Sequence, residues 1–296
     1  MPVTPTAPAP APVADTRSYV LTFVCEDRPG IVHAVTGAIV RAQGNITESQ
    51  QFASTDTGRF FMRLEIATTA AEDVLRTALA PVVARFGLDH TLDLVGRPRR
   101  TLILASTAEH CLRDLLFHQG TGQVPIEVPL VLANHDTLRE LTEFHGVPFE
   151  SHPVKGAQQK ADFERRILEA VEEHDIELVV LARYMQILSP ELCAALGGRC
   201  INIHHSFLPG FKGANPYRQA HERGVKLIGA TAHFVTPDLD EGPIIEQNVT
   251  RVDHSQSVAR LRAVGQDEEA VTLRRAVSWF AESRVLLDGH RTVVFR

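Results

Sequence analysis

The sequence predicts an α/β protein of two domains, a small ferredoxin-like βαββαβ sandwich followed by a larger domain built on a mostly parallel sheet. Three observations carry this expectation. Apolar periodicity orders residues 17–95 as strand, helix, strand, strand, helix, strand. Residues 96–100, Gly-Arg-Pro-Arg-Arg, then change the composition abruptly and read as a linker. Beyond them, short apolar strands alternate with helical segments, the pattern of a parallel sheet with helices on both faces. The chain of 296 residues is long enough to bury a core in each domain, with boundaries expected at 17–96 and 97–296.

In the first domain, residues 19–25 are mostly aliphatic or aromatic and predict a buried strand. Asp27 suits the N-cap of the helix that follows, and Pro29 suits its first turn. Ile31, Val32, Val35, Ala38 and Ile39 recur on one helical face. Gly44-Asn45 ends this helix by admitting a left-handed residue. Residues 46–54 and 59–66 predict strands around the turn Thr55-Asp56-Thr57-Gly58. In the second of them Met62, Leu64 and Ile66 alternate with Arg63 and Glu65, which predicts one covered face. Residues 71–86 read as a helix and 88–95 as a closing strand. In the second domain, strands are expected at 101–105, 127–133 and 178–181. A helix is expected at 109–119, and Phe163, Ile167, Ala170 and Val171 mark another.

Composition narrows the function. Hydrophobic residues make up 44% of the chain and charged residues 22%, with a net charge of −6, which suits a soluble protein and argues against a nucleic-acid surface. No apolar stretch reaches membrane-spanning length, so no membrane partner is expected. The Pro- and Ala-rich residues 1–16 read as a disordered tail, not a signal peptide. Cys25, Cys111, Cys193 and Cys200 show no CxxC spacing and fit reduced thiols in the cytoplasm. There is no internal repeat.

Two stretches could carry chemistry. The first is Cys200-Ile201-Asn202-Ile203-His204-His205-Ser206-Phe207-Leu208-Pro209-Gly210. On a strand, Ile201 and Ile203 would face the core while Asn202 and His204 share the other face. An amide and an imidazole at a strand's C-terminal end stand where open α/β sheets bind ligands. There they can stabilise a developing oxyanion, and the imidazole can move protons. The same spacing fits a satisfied polar pair at a sheet edge. The second stretch runs from Thr231 to Ile245, where two apolar strands flank an acidic turn. Asp238, Asp240 and Glu241 are all candidate bases there, and composition does not choose between them. An ordinary acidic turn has the same composition. No HExxH, Walker loop or GxSxG motif occurs, and a convergence of His204, His205 and His233 on a metal ranks below a metal-free site.

With these residues in view, the chain after its tail resembles the formyltetrahydrofolate deformylases within the wider formyltransferase family. Leu181-Ala182-Arg183-Tyr184-Met185-Gln186-Ile187-Leu188-Ser189-Pro190 is similar to that family's folate-pocket segment. Residues 202–209 resemble its catalytic strand, and 233–240 with Gly242-Pro243-Ile244 resemble its aspartate loop. The stretch from Ser206 to Tyr217 has the form found in deformylases in particular. The resemblance implies a Rossmann-like formyltransferase domain with Asn202, His204 and Asp240 as the catalytic trio. It implies a folate slot formed by Met185, Gln186, Ile187 and Leu188 with Pro237, Asp238 and Leu239. Water, deprotonated with help from Asp240, would attack the formyl carbon while Asn202 and His204 donate to the oxyanion. Formate and tetrahydrofolate would leave, with the formate feeding purine synthesis. No cofactor and no metal are expected.

The family's glycinamide ribonucleotide formyltransferases hold a phosphate on a Gly/Asn-rich loop after the first strand. Here that position reads Ala105-Ser106-Thr107-Ala108-Glu109, without glycine, which leaves water as the expected acceptor. A formyltransferase with an amine acceptor and a non-catalytic amino-acid sensor are the rival readings. The sensor reading arises because the N-terminal domain resembles an ACT domain, through Asp27-Arg28-Pro29-Gly30-Ile31-Val32 and Gly44-Asn45-Ile46. That resemblance implies a regulatory amino-acid site at Asp27, Pro29, Gly30, Ile31, Gly44 and Asn45, with glycine or methionine as candidate effectors. It also implies a homo-oligomer assembled through this domain; assembly alone is the competing role.

Overall fold

Ten residues, Arg17–Glu26, form β1, and seven of them are buried in an unbroken run. In the computed structural model, which describes residues 16–208 and 216–296, this strand sits inside a four-stranded antiparallel sheet. Residues 1–15 of the expected tail lie outside the described residues. β2 (Asn45–Ser54) and β3 (Arg59–Thr68) form a hairpin, β3 pairs with β1, and β4 (Asp89–Leu94) lies on the other side of β1. α1 (Ile31–Arg41) and α2 (Glu72–Phe86) complete the ferredoxin-like order. Tyr19, Leu21, Phe23 and Cys25 alternate onto the core face, where they meet Val35 and Ile39 of α1 and Leu75 and Leu79 of α2.

Three local expectations change. Asp27 does not cap α1; the N-cap is Gly30, in the left-handed region at φ 95°, and no side chain bonds the helix end. The left-handed residue after α1 is Gln43 (φ 57°), not Gly44. Gly44 is needed for closeness instead: a Cβ there would lie 2.8 Å from both Ile39 Cγ2 and Ile66 Cγ2. The alternation in β3 does not leave an open second face, because Arg63 is only 2% exposed. Glu48 and Glu65 stand directly opposite each other in the β2–β3 register, and the Arg63 guanidinium pairs with them at 3.2 and 2.6 Å. A buried cation held this way is compensated rather than stranded.

The described residues divide between Val95 and Gly96 into two compact units. The second begins with β5 (Arg99–Ala105), so Arg99 and Arg100 are strand residues, not linker. Glu177 explains it. Its carboxylate binds Arg97 at 2.7 Å and Arg99 at 2.8 Å, and accepts the Arg100 backbone N–H. Burial pushes Glu177 up, but these donors outweigh it and hold the carboxyl down at about 2.

After β5 come α3 (His110–Gly120), β6 (Ile126–Ala133), α4 (Arg139–Phe144), β7 (Phe149–Ser151), α5 (Ala157–Glu173) and β8 (Leu178–Ala182). Then follow α6 (Pro190–Ala195), β9 (Cys200–His204), α7 (Pro216–Arg223), β10 (Leu227–Phe234), β11 (Ile244–Arg251), α8 (Val258–Ala281) and the hairpin β12 (Val285–Asp288) with β13 (Arg291–Val294). The large sheet has the order β11-β10-β9-β8-β5-β6-β7. It is parallel from β7 to β9, and β10 and β11 add in antiparallel fashion. The chain winds outward from β5 to β7, then returns beside β5 as β8. That reversal opens a crevice at the C-terminal ends of β5 and β8, where open α/β sheets bind ligands. One face of the sheet packs on α3 and α8, the other on α5 and α6.

Gly44→Ala should therefore destabilise the first unit by ~1–3 kcal/mol, because the new methyl group has no room between Ile39 and Ile66. Hydrogen exchange on the full-length protein checks it: amides of β1 and β3 should lose protection while those of β5 and β8 keep theirs.

Candidate active site

β9 ends with Asn202 and His204 on one face, as its alternation requires, and Ile201 and Ile203 lie in the core on the other. The segment after β8 is fixed at both ends. The Met185 N–H donates to Ser106 Oγ at 3.1 Å, and Ser106 in turn donates to Asn134 Oδ1 at 2.7 Å. The Ser189 N–H donates to Glu164 at 2.9 Å, and the Ser189 hydroxyl caps α6. Between these clamps, Met185, Gln186, Ile187 and Leu188 line a cavity of about 250 Å³. Pro237, Asp238, Leu239 and Asp240 line it from the β10–β11 loop, and Asn202, His204, His205 and Arg183 line its floor. All seven residues expected to bind substrate and all three expected to be catalytic thus border one cavity. Met185, Ile187 and Leu239 are 61%, 61% and 58% exposed, which gives the mouth apolar lips. Residues 209–215 of the expected motif lie outside the described residues.

Among the loop acids only Asp240 turns inward; Asp238 and Glu241 are exposed. Two backbone features make this turn. Asp240 adopts φ 58°, and Gly242 passes so close to the end of β10 that a Cβ would lie 1.7 Å from the Phe234 carbonyl oxygen. Asp240 Oδ2 stands 3.2 Å from His204 Nδ1, and Oδ1 stands 3.7 Å from His233 Nε2. The His204 imidazole above all holds the carboxyl far below the usual carboxylate range, against the opposing effect of burial. His233 Nδ1 donates to the Phe234 carbonyl at 2.9 Å, which leaves Nε2 to accept from the Asn202 amide at 3.3 Å. One Asn202 N–H remains for a ligand. With Nδ1 of His204 on Asp240, its Nε2 has no partner among the described residues.

Behind this trio lies a buried polar cluster to which the sequence reading gave no role. Glu269 of α8 is 1% exposed. It accepts from Tyr217 at 2.5 Å, contacts His110 Nε2 at 2.8 Å and pairs with Arg183 at 3.2 Å. Burial pushes Glu269 up, but His110, Arg183 and Tyr217 together hold it below its ordinary value. Arg183 then donates to His205 Nδ1 at 2.9 Å. The signals were present: Arg183 directly follows an apolar strand, and Glu269 stands among the apolar positions of α8.

The grouping His110, Cys111 and Glu269 is the one set among the described residues whose donor atoms could surround a metal. Arg183 beside Glu269 already supplies the positive charge, and burial pushes the Cys111 thiol well above its usual value, which disfavours the thiolate a metal needs. His204, His205 and His233 form no such group.

The six residues expected to hold an amino acid separate into two places. Asp27, Pro29, Gly30 and Ile31 stand at the start of α1, and Gly44 and Asn45 follow its end. Eleven residues of helix, about 16 Å at 1.5 Å per residue, lie between them. No small amino acid spans both within one copy.

Among the described residues, no helix is long and apolar enough to cross a membrane. Residues 99–277 match the profile of the formyl transferase family, and residues 19–79 match that of the ACT domain. The chain is 48% identical to the formyltetrahydrofolate deformylase of Corynebacterium sp., over 94% of this chain and 98% of that one. It is 44% identical to the deformylase of Bacillus subtilis, over 93% of each chain. The crystal structure of the Burkholderia mallei deformylase superposes with a TM-score of 0.91 at 49% identity, covering 95% of this chain and all of that one. A glycinamide ribonucleotide transformylase from Symbiobacterium toebii superposes with a TM-score of 0.62 at 31% identity, over 69% of this chain and 97% of that one. An ACT unit followed by a catalytic sheet, matched along almost its whole length, places this chain in the formyltetrahydrofolate deformylase family.

Proposed function

We propose that this enzyme hydrolyses 10-formyltetrahydrofolate to formate and tetrahydrofolate, with Asn202, His204 and Asp240 as its catalytic residues. The observation that carries the assignment of residues is the His204–Asp240 pair, which leaves His204 Nε2 buried without a partner among the described residues, on a side chain that lines the cavity together with Asn202. The pterin lies between the 185–188 segment and the 237–239 loop, whose backbone groups suit a flat heterocycle. The apolar lips Met185, Ile187 and Leu239 take the ring system that follows it.

A carboxylate held as low as Asp240 is a weak base, so the proton acceptor is His204, and the help that the resemblance assigned to Asp240 is given through His204. Water gives its proton to His204 Nε2, and Asp240 stabilises the imidazolium through Nδ1–H, as a carboxylate does in a His–Asp pair. The oxygen attacks the formyl carbon, and the remaining Asn202 N–H donates to the oxyanion. Collapse breaks the carbon–nitrogen bond, and His204 returns the proton to the folate nitrogen. No cofactor enters this sequence of steps. Water is the acceptor because the loop after β5 is no anion cradle: Ser106 is tied to Asn134 and Met185, and Glu109 extends its carboxylate to Arg113 at 3.0 Å.

The four buried, unpaired cysteines suit a cytoplasmic enzyme. The formate released would feed purine synthesis and balance one-carbon pools. In the ACT unit, the start of α1 and the Gly44-Asn45 corner can build one amino-acid site only across two copies, so the regulatory site and a homo-oligomer are one proposal.

Formate should appear from 10-formyltetrahydrofolate with water alone and in the presence of a chelator. Strict dependence on an added amine would replace hydrolysis by transfer. Asp240→Asn should lower kcat by ~10²–10⁴-fold, the usual worth of acid–base assistance, while Asp238→Asn stays within about twofold and both bind folate. Equal losses would refute the carboxylate assignment. Calorimetric titration of the full-length enzyme with glycine and with methionine should show binding of one. Its affinity should change by the same factor by which it changes folate affinity, since coupling is reciprocal. No heat with either would leave the ACT unit an assembly module.

A further inference from the structure

We propose that His205 selects water over amines as the nucleophile, by donating a fixed hydrogen bond from Nε2–H to the attacking oxygen. The proposal rests on the hydrolytic reading above and gives a role to a residue outside the Asn202, His204 and Asp240 trio.

The tautomer follows from the partners. Arg183 has only donors, so its Nη1 contact at 2.9 Å makes His205 Nδ1 an acceptor and puts the ring proton on Nε2. Burial, with Arg183 and His204, pushes the His205 pKa down to about 4, so the ring stays neutral and Nδ1 stays available near neutral pH. Arg183 cannot turn away. Its Nε faces the buried Glu269 carboxylate at 3.2 Å, and its backbone is held at φ 61° directly after β8. The relay therefore runs from Glu269 through Arg183 to His205. At its end, Nε2 of His205 is buried without a partner among the described residues.

The orphan donor lies beside an orphan acceptor. The rings of His204 and His205 stack at 4.7 Å between centroids, 24° from parallel, and both line the catalytic cavity. A water held at these two unpartnered atoms would accept from His205 Nε2–H and donate to His204 Nε2. Water has two lone pairs, so it can accept from His205 with one and attack the formyl carbon with the other. A neutral amine has one lone pair. If it accepts from His205 it cannot attack, and if it attacks it leaves the buried N–H unsatisfied. An ammonium has no lone pair with which to attack. The product carries oxygens only, which the same N–H can hold until formate leaves.

The test is a partition experiment on the full-length enzyme. 10-Formyltetrahydrofolate is turned over in water containing a fixed concentration of trifluoroethylamine, a weakly basic amine that stays neutral and whose nitrogen carries one lone pair, and formate and the N-substituted formamide are both measured. Loss of one hydrogen bond predicts that His205→Ala raises the formamide-to-formate ratio about tenfold. His205→Gln keeps an N–H at similar reach and should hold the ratio near wild type, whereas the shorter His205→Asn should raise it. The Gln and Asn pair carries the comparison should the Ala variant not fold. Ratios equal in all variants, or a Gln variant as permissive as Asn, would overturn the proposal while leaving hydrolysis intact. A wild-type enzyme that forms no formate would instead overturn the hydrolytic reading itself.

Discussion

The catalytic side of the molecule depends on how one carboxylate is brought to two imidazoles. The Asp240 oxygens face His204 and His233, and neither contact survives if the β10–β11 loop moves outward. The loop is drawn in by backbone, not by side-chain packing. The Phe234 N–H donates to the Pro243 carbonyl at 2.9 Å, and Gly242 is pressed against the Phe234 carbonyl where no other residue fits. That same carbonyl accepts His233 Nδ1–H. The Phe234 backbone thus closes the loop through its N–H, and its carbonyl fixes the tautomer of the histidine that meets Asn202. The lowered pKa of Asp240 is the electrostatic result, and it decides which group can accept a proton.

The second buried charge system answers a different requirement. Glu269 and Arg183 are nearly enclosed, and an ion pair in such a place is weak evidence for stability, because desolvation offsets much of the attraction. An apolar pair of similar volume would hold α8 to the sheet as well. The surroundings show that the polar arrangement is built for. One turn before Glu269 on α8 stands Gly265, where a Cβ would lie 2.2 Å from the Tyr217 ring. The helix gives up a side chain so that Tyr217 can reach the carboxylate from α7. Both Glu269 oxygens are then engaged, which fixes the direction of the Arg183 guanidinium rather than merely neutralising it.

The elements that were legible in the sequence are those whose signal is local. β1, β3, β5, β6 and β8 are short apolar runs, and α1 and α5 carry a clean apolar stripe, so each fell close to its expected place. Asn202 and His204 were legible because strand alternation alone sets their face. Local signals fail where a distant partner decides. Arg99 and Arg100 read as linker until Glu177, far along the chain, takes them into a strand. Asp27 is a good cap by type, but the chain enters α1 through a left-handed Gly30 that leaves it no role there. Arg63 reads as a solvent-facing residue and is buried by two glutamates that meet only in the folded register. α8 escaped detection because its buried positions include Gly265, Glu269 and Thr272, which blur the apolar pattern. Two of those interruptions, Gly265 and Glu269, belong to the polar cluster behind the site, so the signal was weak where the cluster had altered it.

The backbone supports the same conclusion independently of the hydrogen bonds. A non-glycine residue in the left-handed region costs of order 1–3 kcal/mol unless its own side chain eases it, as Asn and Asp can. Among the described residues, Gln43, Asp175 and Ser283 stand in this region at helix ends, where a left-handed residue commonly terminates the helix. Arg183 and Asp240 follow no helix; each ends a strand or turns a loop. Glycine at position 183 would relieve the strain and leave β8 unchanged. What it would remove is the guanidinium between Glu269 and His205. Asparagine at position 240 would tolerate the same backbone and remove the charge between His204 and His233. At both positions the left-handed conformation is kept for the side chain it delivers, and the two side chains enter the cavity region from opposite sides of β9: one from the end of β8, the other from the loop after β10.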